Sequence, residues 1–216
     1  DWIRLHYTYP TGFPLDLLEV IANNEKVCNY IDIPVQHISN SILASMKRNI
    51  TSTQTYNLLD KIRDKLPDAA IRTTLIAGYP GESEKNFREL KDFIRTFRFD
   101  RLGIFTYSHE EDTPAFNLKN NIPEEVKQQR AAEIMEIQEK ISLEKNRDKI
   151  GKIYKVIIDR NEGDYYVGRT QYDSPEVDNE VLIPTSADKT VKVGKFYQVH
   201  ITDAESFDLF GIVKDL

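Results

Sequence analysis

The pattern of apolar residues changes abruptly at Gly151, and this change limits the folds that the chain can adopt. Before Gly151, short apolar segments alternate with segments whose apolar residues recur every three or four positions, which is typical of strands alternating with amphipathic helices. After Gly151, short strand-like segments follow one another between turns rich in Gly and Asp. The sequence therefore predicts an α/β unit followed by a small all-β unit.

Four strands and four helices are predicted in the first 107 residues. The strands cover residues 1–7, 30–34, 70–77 and 101–107. The helices cover residues 15–22, 41–46, 53–65 and 83–97. Strands and helices that alternate with short linkers imply parallel strands and right-handed crossovers. Four such strands make about half of an eight-stranded barrel, so the predicted fold class is α/β with a partial, TIM-like barrel.

The rest of the chain predicts a connector helix and a second domain. Residues 123–150 form a long polar helix with Pro123 in its first turn and a narrow apolar stripe of isoleucines. Five strands follow, over residues 152–160, 165–170, 179–184, 195–203 and 209–214. Five short strands in about sixty residues favour a small closed, OB-like barrel. The predicted domains are thus 1–122, 123–150 and 151–216.

Cysteine content and charge exclude several classes of protein. The only cysteine, Cys28, cannot form an internal disulfide, which favours a cytoplasmic protein, and it cannot by itself hold an iron–sulfur cluster or a structural zinc. The longest apolar runs are too short for a membrane span, so no membrane partner is expected. The 29 basic and 35 acidic residues argue against binding nucleic acid mainly through phosphates. Because Asp1 lies within a predicted strand, we expect a longer protein cut near this point.

The carboxyl ends of the predicted strands carry the residues that could form a site, because ligands of α/β sheets bind at that edge. The most informative segment is the loop from Gly78 to Glu82, whose two glycines permit close approach of the backbone to a ligand. The alternative is a tight turn before a helix capped by Ser83. The loop lacks the Lys and Ser/Thr of a phosphate-binding loop, which disfavours a nucleoside triphosphate.

Histidines and one arginine are further candidates. His6, His37 and His109 all fall near the predicted edge, where they could act in acid–base chemistry or be hydrogen-bonded loop residues. Their spacing indicates no metal site. Arg72 lies on a strand that should be buried, so it either pairs with a carboxylate such as Asp32 or Asp100, or binds a ligand carboxylate. These two alternatives remain open.

Four segments in series resemble the radical S-adenosylmethionine methylthiotransferases. They are residues 2–7 (WIRLHY), 32–39 (DIPVQHIS), 46–48 (MKR) and 72–82 (RTTLIAGYPGE). The all-β unit resembles the TRAM domain of that family. The first two segments, with residues 168–178 (GRTQYDSPEVD), are closer to the RimO type, which modifies an aspartate of ribosomal protein twelve of the small subunit. The alternatives are the MiaB type, which modifies an adenosine in tRNA, and a non-catalytic adaptor that binds RNA or the ribosome.

The resemblance implies S-adenosylmethionine and two 4Fe-4S clusters as cofactors, although the cluster cysteines of the family are absent from this chain. It is therefore similar to the C-terminal part of such an enzyme, inactive without its N-terminal half. The cofactor-binding residues that the resemblance implies are Gln36, Arg72, Gly78, Glu82 and Tyr107. His37 is the implied substrate contact. No catalytic residue and no metal ligand is expected in this chain.

Charge favours a protein substrate over tRNA. Residues 151–216 hold 8 basic and 12 acidic residues. A barrel that binds tRNA should be basic, whereas an acidic barrel complements a basic ribosomal protein. We therefore expect the barrel to contact the ribosomal protein, with tRNA as the less favoured partner.

Overall fold

Three parallel strands form the centre of the α/β unit in the computed structural model, which describes residues 2–111, 113–119, 121–186 and 191–214. The strands are β1 (Tyr30–Asp32), β2 (Ala70–Ala77) and β3 (Arg101–Thr106), in the order β1-β2-β3. Asp32 pairs in register with Arg72, and Arg72 with Arg101. The α/β class with a partial barrel is therefore confirmed.

Four helices connect or flank these strands, as predicted. They are α1 (Leu17–Asn23), α2 (Asn40–Ser45), α3 (Ser52–Lys65) and α4 (Glu84–Phe97). Both longer helices begin with a capping box, in which Thr51 pairs with Gln54 and Ser83 with Asn86. On α4 the apolar residues at three-and-four spacing are buried against the sheet. Their burial is why the helix forms where the periodicity predicts it.

The predicted strand over residues 1–7 is wrong in the described part of the chain. There the segment makes a single isolated bridge, in which Ile3 pairs in parallel with Val27. Further along, the segment contacts β1 at Thr8, whose N–H donates to the Asp32 carbonyl at 2.9 Å. Between these points Tyr7 has a φ of 58°. A left-handed residue breaks the extended backbone, so the apolar alternation of the segment does not become a regular strand.

The two faces of the sheet differ in character. Ile71 and Leu75 of β2 point into the main hydrophobic core beneath the helices. Arg72, Thr74 and Ile76 alternate with them and therefore lie on the opposite side. We call this second side the open face.

A single long helix, α5 (Glu124–Arg147), joins the two units and packs on α4, β2 and β3. It follows a short 3-10 turn at Pro114–Asn117. Its buried stripe contains Ile134 and Ile141, as predicted, and also Gln138. The helices in the described part of the chain are each too short or too polar to cross a bilayer.

The second unit is a closed five-stranded barrel, in agreement with the prediction. Its strands are β4 (Ile153–Glu162), β5 (Tyr165–Thr170), β6 (Glu180–Pro184), β7 (Phe196–Ala204) and β8 (Asp208–Val213), in the order β4-β5-β6-β8-β7. Valines, isoleucines and Leu209 fill its interior. A Cβ on Gly168 would lie 2.7 Å from Val156 Cγ1, so only glycine allows β4 and β5 to approach this closely. The predicted domain boundaries remain predictions.

Candidate functional site

Gln36, Gly78 and Tyr107 follow the ends of β1, β2 and β3, so the structure brings these three predicted residues to one edge of the sheet. Gln36 has a φ of 66°, and its N–H donates to the Thr74 carbonyl at 2.9 Å. Its half-buried side chain makes no hydrogen bond within the described residues. A strained backbone and a free amide at a strand end are features of ligand-binding positions.

The glycine loop after β2 needs glycine at Gly78 for two reasons. Gly78 has a φ of 75°, in the left-handed region. A Cβ at this position would also lie 2.9 Å from the Cβ of Lys127 on α5, closer than real Cβ atoms approach. The buried Lys127 in turn donates from Nζ to the Tyr107 carbonyl at 3.2 Å. The connector helix therefore supports the loop from behind.

Glu82 fixes the shape of the same loop. Its buried carboxylate accepts hydrogen bonds from the N–H groups of Gly78 and Tyr79, the latter at 3.2 Å. Arg130 of α5 donates to the Glu82 carbonyl at 3.0 Å and lies 3.6 Å from the carboxylate. Glu82 thus acts on the loop rather than on the open face.

His37 lies behind the loop and is 0% exposed. Its Nδ1 accepts a hydrogen bond from the Ser39 N–H at 2.9 Å. Its Nε2 is 4.0 Å from Glu82 Oε1, and neither of these two atoms has a hydrogen-bond partner in the described part of the chain. Because no surface of His37 is accessible, the geometry does not support direct contact with a substrate.

The hydroxyl of Tyr107 is already engaged. It bonds to His109 Nδ1 at 3.0 Å, and the ring meets Tyr79 edge-on at 5.2 Å. Burial, with the nearby Tyr79 and Glu110, raises the pKa of Tyr107. An exposed aromatic ring near this edge is instead supplied by Phe105 of β3, which is 62% exposed and lies on the open face with Ile76.

Arg72 lies away from this edge. It is five residues before Ala77, or roughly 16 Å along an extended strand. Its guanidinium contacts Asp32 at 3.1 Å and Asp178, from the barrel unit, at 3.4 Å. Burial alone would lower the pKa of Arg72, but these two carboxylates outweigh burial and raise it. The geometry favours the first of the two alternatives, an internal ion pair, with Asp32 as one of the two partners.

The loop between β5 and β6 supplies carboxylates that sequence reasoning did not single out. Asp173 is buried and accepts from Arg101 Nε at 2.9 Å and from the Thr170 hydroxyl at 2.5 Å. Burial alone would raise the pKa of Asp173, but Arg101 and Lys149 hold it below its usual value. Asp178 accepts from the Tyr30 hydroxyl at 2.7 Å. These bonds join the barrel to the amino ends of the strands.

Lys127 and Arg130 were also missed, although the sequence carried a signal for them. They precede Ile134 by seven and four positions and so extend the buried stripe of α5 toward its start. A stripe that continues through charged residues indicates charges that face a polar partner, which here is the glycine loop.

The described residues do not fit an iron–sulfur cluster. Cys28 is buried and packs with Tyr30 and Ala70. In the described ranges, no group of three or more His, Cys, Asp or Glu side chains could hold a metal ion. The free amide of Gln36 and the apolar Ile76 and Phe105, by contrast, fit the polar and aromatic parts of an adenosyl ligand.

Comparison with known proteins identifies both units. The family model of the radical SAM superfamily matches residues 1–94, and that of the TRAM domain matches residues 150–213. The protein named ribosomal protein uS12 methylthiotransferase RimO from Christiangramia forsetii is 57% identical to this chain, over 98% of this chain and 47% of the relative. The protein of the same name from Cytophaga hutchinsonii is 55% identical, over 99% of this chain and 49% of the relative. The chain belongs to the RimO family of radical S-adenosylmethionine methylthiotransferases.

This RimO-family chain spans about half the length of the curated relatives it matches. Among solved structures, the coproporphyrinogen III oxidase HemN from Escherichia coli, a radical SAM enzyme, matches with a TM-score of 0.55 at 15% identity, over 79% of this chain and 46% of that one. At this identity the match shows a shared fold.

Proposed function

We propose that the protein containing this chain adds a methylthio group to the β-carbon of an aspartate in the small-subunit ribosomal protein uS12. The observation that carries the proposal is the identity of 51–57% to proteins of that name, which extends through both the strand–helix unit and the barrel. A match confined to the first unit would support only radical chemistry of some kind.

The charge of the barrel supports a protein substrate. With 8 basic and 12 acidic residues, residues 151–216 repel a polyanion and attract a basic ribosomal protein. tRNA, the substrate of the MiaB type, is therefore the second candidate. A ribosomal substrate and a single unpaired cysteine both favour a cytoplasmic protein.

The carboxyl edge of the sheet would hold S-adenosylmethionine, which supplies a 5′-deoxyadenosyl radical and methyl groups when bound. Gln36 would donate to the ribose, and the backbone at Gly78 would lie close to the ligand. Glu82 and Tyr107 would keep the loop and the end of β3 in place through the bonds described above. Arg72 and His37 are engaged or enclosed, so we assign them supporting roles.

The two 4Fe-4S clusters of the proposed enzyme would be held outside this chain. Cys28 offers a single buried thiol, and burial raises its pKa, which disfavours the thiolate that a cluster requires. The role of this chain is then to complete the cofactor cradle and to bind the substrate protein.

The decisive experiment uses the full-length protein with reconstituted clusters, S-adenosylmethionine, and uS12 or tRNA. We expect mass spectrometry to show one methylthio group on an aspartate of uS12 and no change in tRNA. Modified tRNA would move the assignment to the MiaB type. No modification of either, together with ribosome binding, would favour the non-catalytic adaptor.

The cradle can be tested separately by measuring the Kd of S-adenosylmethionine for the full-length protein. Gln36→Ala should weaken binding about tenfold, the effect of one lost hydrogen bond. Gln198→Ala, at an exposed position of the barrel, is the matched control. Equal affinity of the two variants would remove Gln36 from the cradle.

A further inference from the structure

His37 and Glu82 form a buried pair between the segment that follows β1 and the glycine loop that follows β2. His37 is 0% and Glu82 3% exposed, and His37 Nε2 lies 4.0 Å from Glu82 Oε1. Neither atom has a hydrogen-bond partner in the ranges that the structure describes. Buried polar atoms in proteins are nearly always bonded, so this pair needs an explanation. Because both atoms are enclosed, the explanation has to be internal to the protein.

The proton of the His37 ring lies on the nitrogen nearer to Glu82. The Ser39 N–H can only donate, and it donates to His37 Nδ1 at 2.9 Å. Nδ1 is therefore an acceptor, and an imidazole with Nδ1 as acceptor carries its proton on Nε2. The pair thus consists of a donor N–H and an acceptor oxygen, separated by about 1 Å more than the length of a hydrogen bond. A small approach of the two segments would form that bond.

The residue before His37 is the centre of a strained turn. Gln36 has a φ of 66°, and the His37 N–H donates across it to the Val35 carbonyl at 2.8 Å. A three-residue turn with positive φ at its centre is rare, and it persists only where the surrounding contacts hold it. On one side, the Gln36 carbonyl accepts from the Ile76 N–H of β2 at 2.9 Å. On the other side, the enclosed ring of His37 is the anchor.

Glu82 connects that anchor to the glycine loop. Its Oε2 accepts from the N–H groups of Gly78 and Tyr79, while its Oε1 lies near His37 and Arg130. Arg130 supplies the positive charge that a buried carboxylate needs, so a neutral imidazole is sufficient as the remaining donor. One carboxylate therefore lies between the two segments that carry Gln36 and Gly78.

We propose that His37 is a positioning residue, whose Nε2–H bonds to Glu82 Oε1 when a ligand binds at the carboxyl edge and thereby fixes Gln36 relative to Gly78. The choice of S-adenosylmethionine as that ligand rests on the proposed function. Because the bond forms in the bound state and not in the free one, it adds to the affinity for the ligand. His37 acts through Glu82 and touches neither cofactor nor substrate.

The test measures the Kd of S-adenosylmethionine by calorimetry, on the full-length protein with reconstituted clusters. His37→Asn keeps an acceptor near the place of Nδ1 but has no donor near that of Nε2, so it should bind about tenfold more weakly. His37→Gln keeps a donor with the reach of Nε2 and should bind nearly as the wild type does. His200→Asn, on strand β7 of the barrel, is the control and should leave the Kd unchanged.

The two variants at His37 separate positioning from packing. Each loses one of the two ring contacts, so a residue that only fills space and supports the fold would not favour His37→Gln in affinity. If His37→Gln binds as weakly as His37→Asn, or if His37→Asn binds as the wild type does, His37 is not a positioning residue.

Glu82→Gln tests the same bond from its other end and covers the case in which His37→Asn does not fold. Its amide oxygen can still accept from the glycine loop, but its amide N–H then lies beside the His37 N–H, so binding should again weaken about tenfold. The double variant with His37→Asn should bind no more weakly than either single variant, because both remove one bond. Wild-type affinity in Glu82→Gln, or a loss in the double variant equal to the product of the two single losses, would overturn the positioning role.

Modification of uS12, measured on the same proteins, separates this inference from the proposed function. If the wild type modifies uS12 and the affinities do not follow the expected order, the positioning role is wrong and the function stands. If the affinities follow that order and uS12 is not modified, the function is wrong and the positioning role stands. A wild-type protein that does not bind S-adenosylmethionine would overturn both.

Discussion

The amino and carboxyl ends of the same three strands are built in opposite ways. Toward the amino ends of β2 and β3, Arg72 pairs with Asp32 of β1 and with Asp178, and Arg101 pairs with Asp173. The pairs with Asp173 and Asp178 join the barrel to the sheet. At the carboxyl ends the backbone is left-handed at Gln36 and Gly78, and Phe105 is exposed.

This difference suggests two roles within one small sheet: the ion pairs hold the two units together, and the left-handed residues shape the edge proposed to bind the ligand. Matched charges favour one arrangement of the two units, because breaking the buried pair of Arg101 and Asp173 leaves a buried charge without its partner. Left-handed residues and free polar atoms are unfavourable unless something else uses them, and they cluster at ligand sites. The comparison therefore predicts that a ligand binds at the carboxyl ends, away from the ion pairs that join the two units.

The largest effect should follow from breaking the buried pair at the amino end. Arg101→Met leaves the carboxylate of Asp173, which is fully buried, without its main partner. We expect a loss of about 3–5 kcal/mol in the free energy of unfolding, measured by urea denaturation. The double variant Arg101→Met with Asp173→Asn should recover part of this loss, because the buried charge is gone.

The control for this prediction is an exposed arginine of the barrel. Arg160 pairs with Glu162 and Glu180, each at 2.7 Å, but is itself largely exposed. Arg160→Met should cost about 0–1 kcal/mol, as surface pairs usually do. If Arg101→Met costs no more than Arg160→Met, the amino end does not hold the two units together.

A smaller effect is expected at the carboxyl end from Gly78→Ala. The left-handed backbone costs about 1–2 kcal/mol for an L residue, and the clash with Lys127 adds about 1–3 kcal/mol. Gly81→Ala, in the same loop, is the matched control. Gly81 also has positive φ, but a Cβ there would have none of the described neighbouring atoms within 4 Å.

The difference between the two variants isolates the contact with the connector helix. Urea denaturation of both should show Gly78→Ala to be the less stable by about 1–3 kcal/mol. Equal stabilities would mean that α5 does not press on the loop, and the loop would then be shaped by Glu82 alone.

Local patterns predict most of the fold, because helices and strands are set by short periodicities. The strand Tyr165–Thr170 has its predicted bounds, and the helix ending at Phe97 begins within one residue of its predicted start. The segment 1–7 has the same alternation and makes only a bridge. Alternation of apolar and polar residues indicates that a segment can form a strand. A strand also needs a neighbouring strand in register, and the local sequence pattern carries no information about that neighbour.

The site is less completely predictable, for the same physical reason. The edge of the sheet follows from chain order, and Gln36, Gly78 and Tyr107 do follow the ends of neighbouring strands, while their roles in binding stay predictions. Arg101 and Asp173 are 72 residues apart and meet only because the two units pack together. Charge partners between domains leave no local signal, so the alternative roles of Arg72 could not be resolved from the sequence.

Unlike Arg72 and Arg101, Lys149 at the amino end has no carboxylate partner, so it allows a finer test of the comparison between the two ends. It lines a cavity of about 220 Å³ with Tyr154 and Tyr172, and its Nζ donates to Asn146 Oδ1 at 3.1 Å. No carboxylate pairs with it within the described residues. Burial, followed by repulsion from Arg101, lowers the pKa of Lys149 to about 8.

This shift predicts how stability depends on pH. The pKa of an unfolded lysine is about 10.4, so between about pH 8 and 10 the unfolded chain holds a proton that the folded one has released. Stability should then rise with pH, by at most about 1.4 kcal/mol per unit, and Lys149→Met should lose this rise. Lys152→Met, at an exposed position nearby, should keep it. Parallel pH profiles for the wild type and Lys149→Met, from urea denaturation, would show that Lys149 stays charged, and hence that the amino end holds a counter-charge for it.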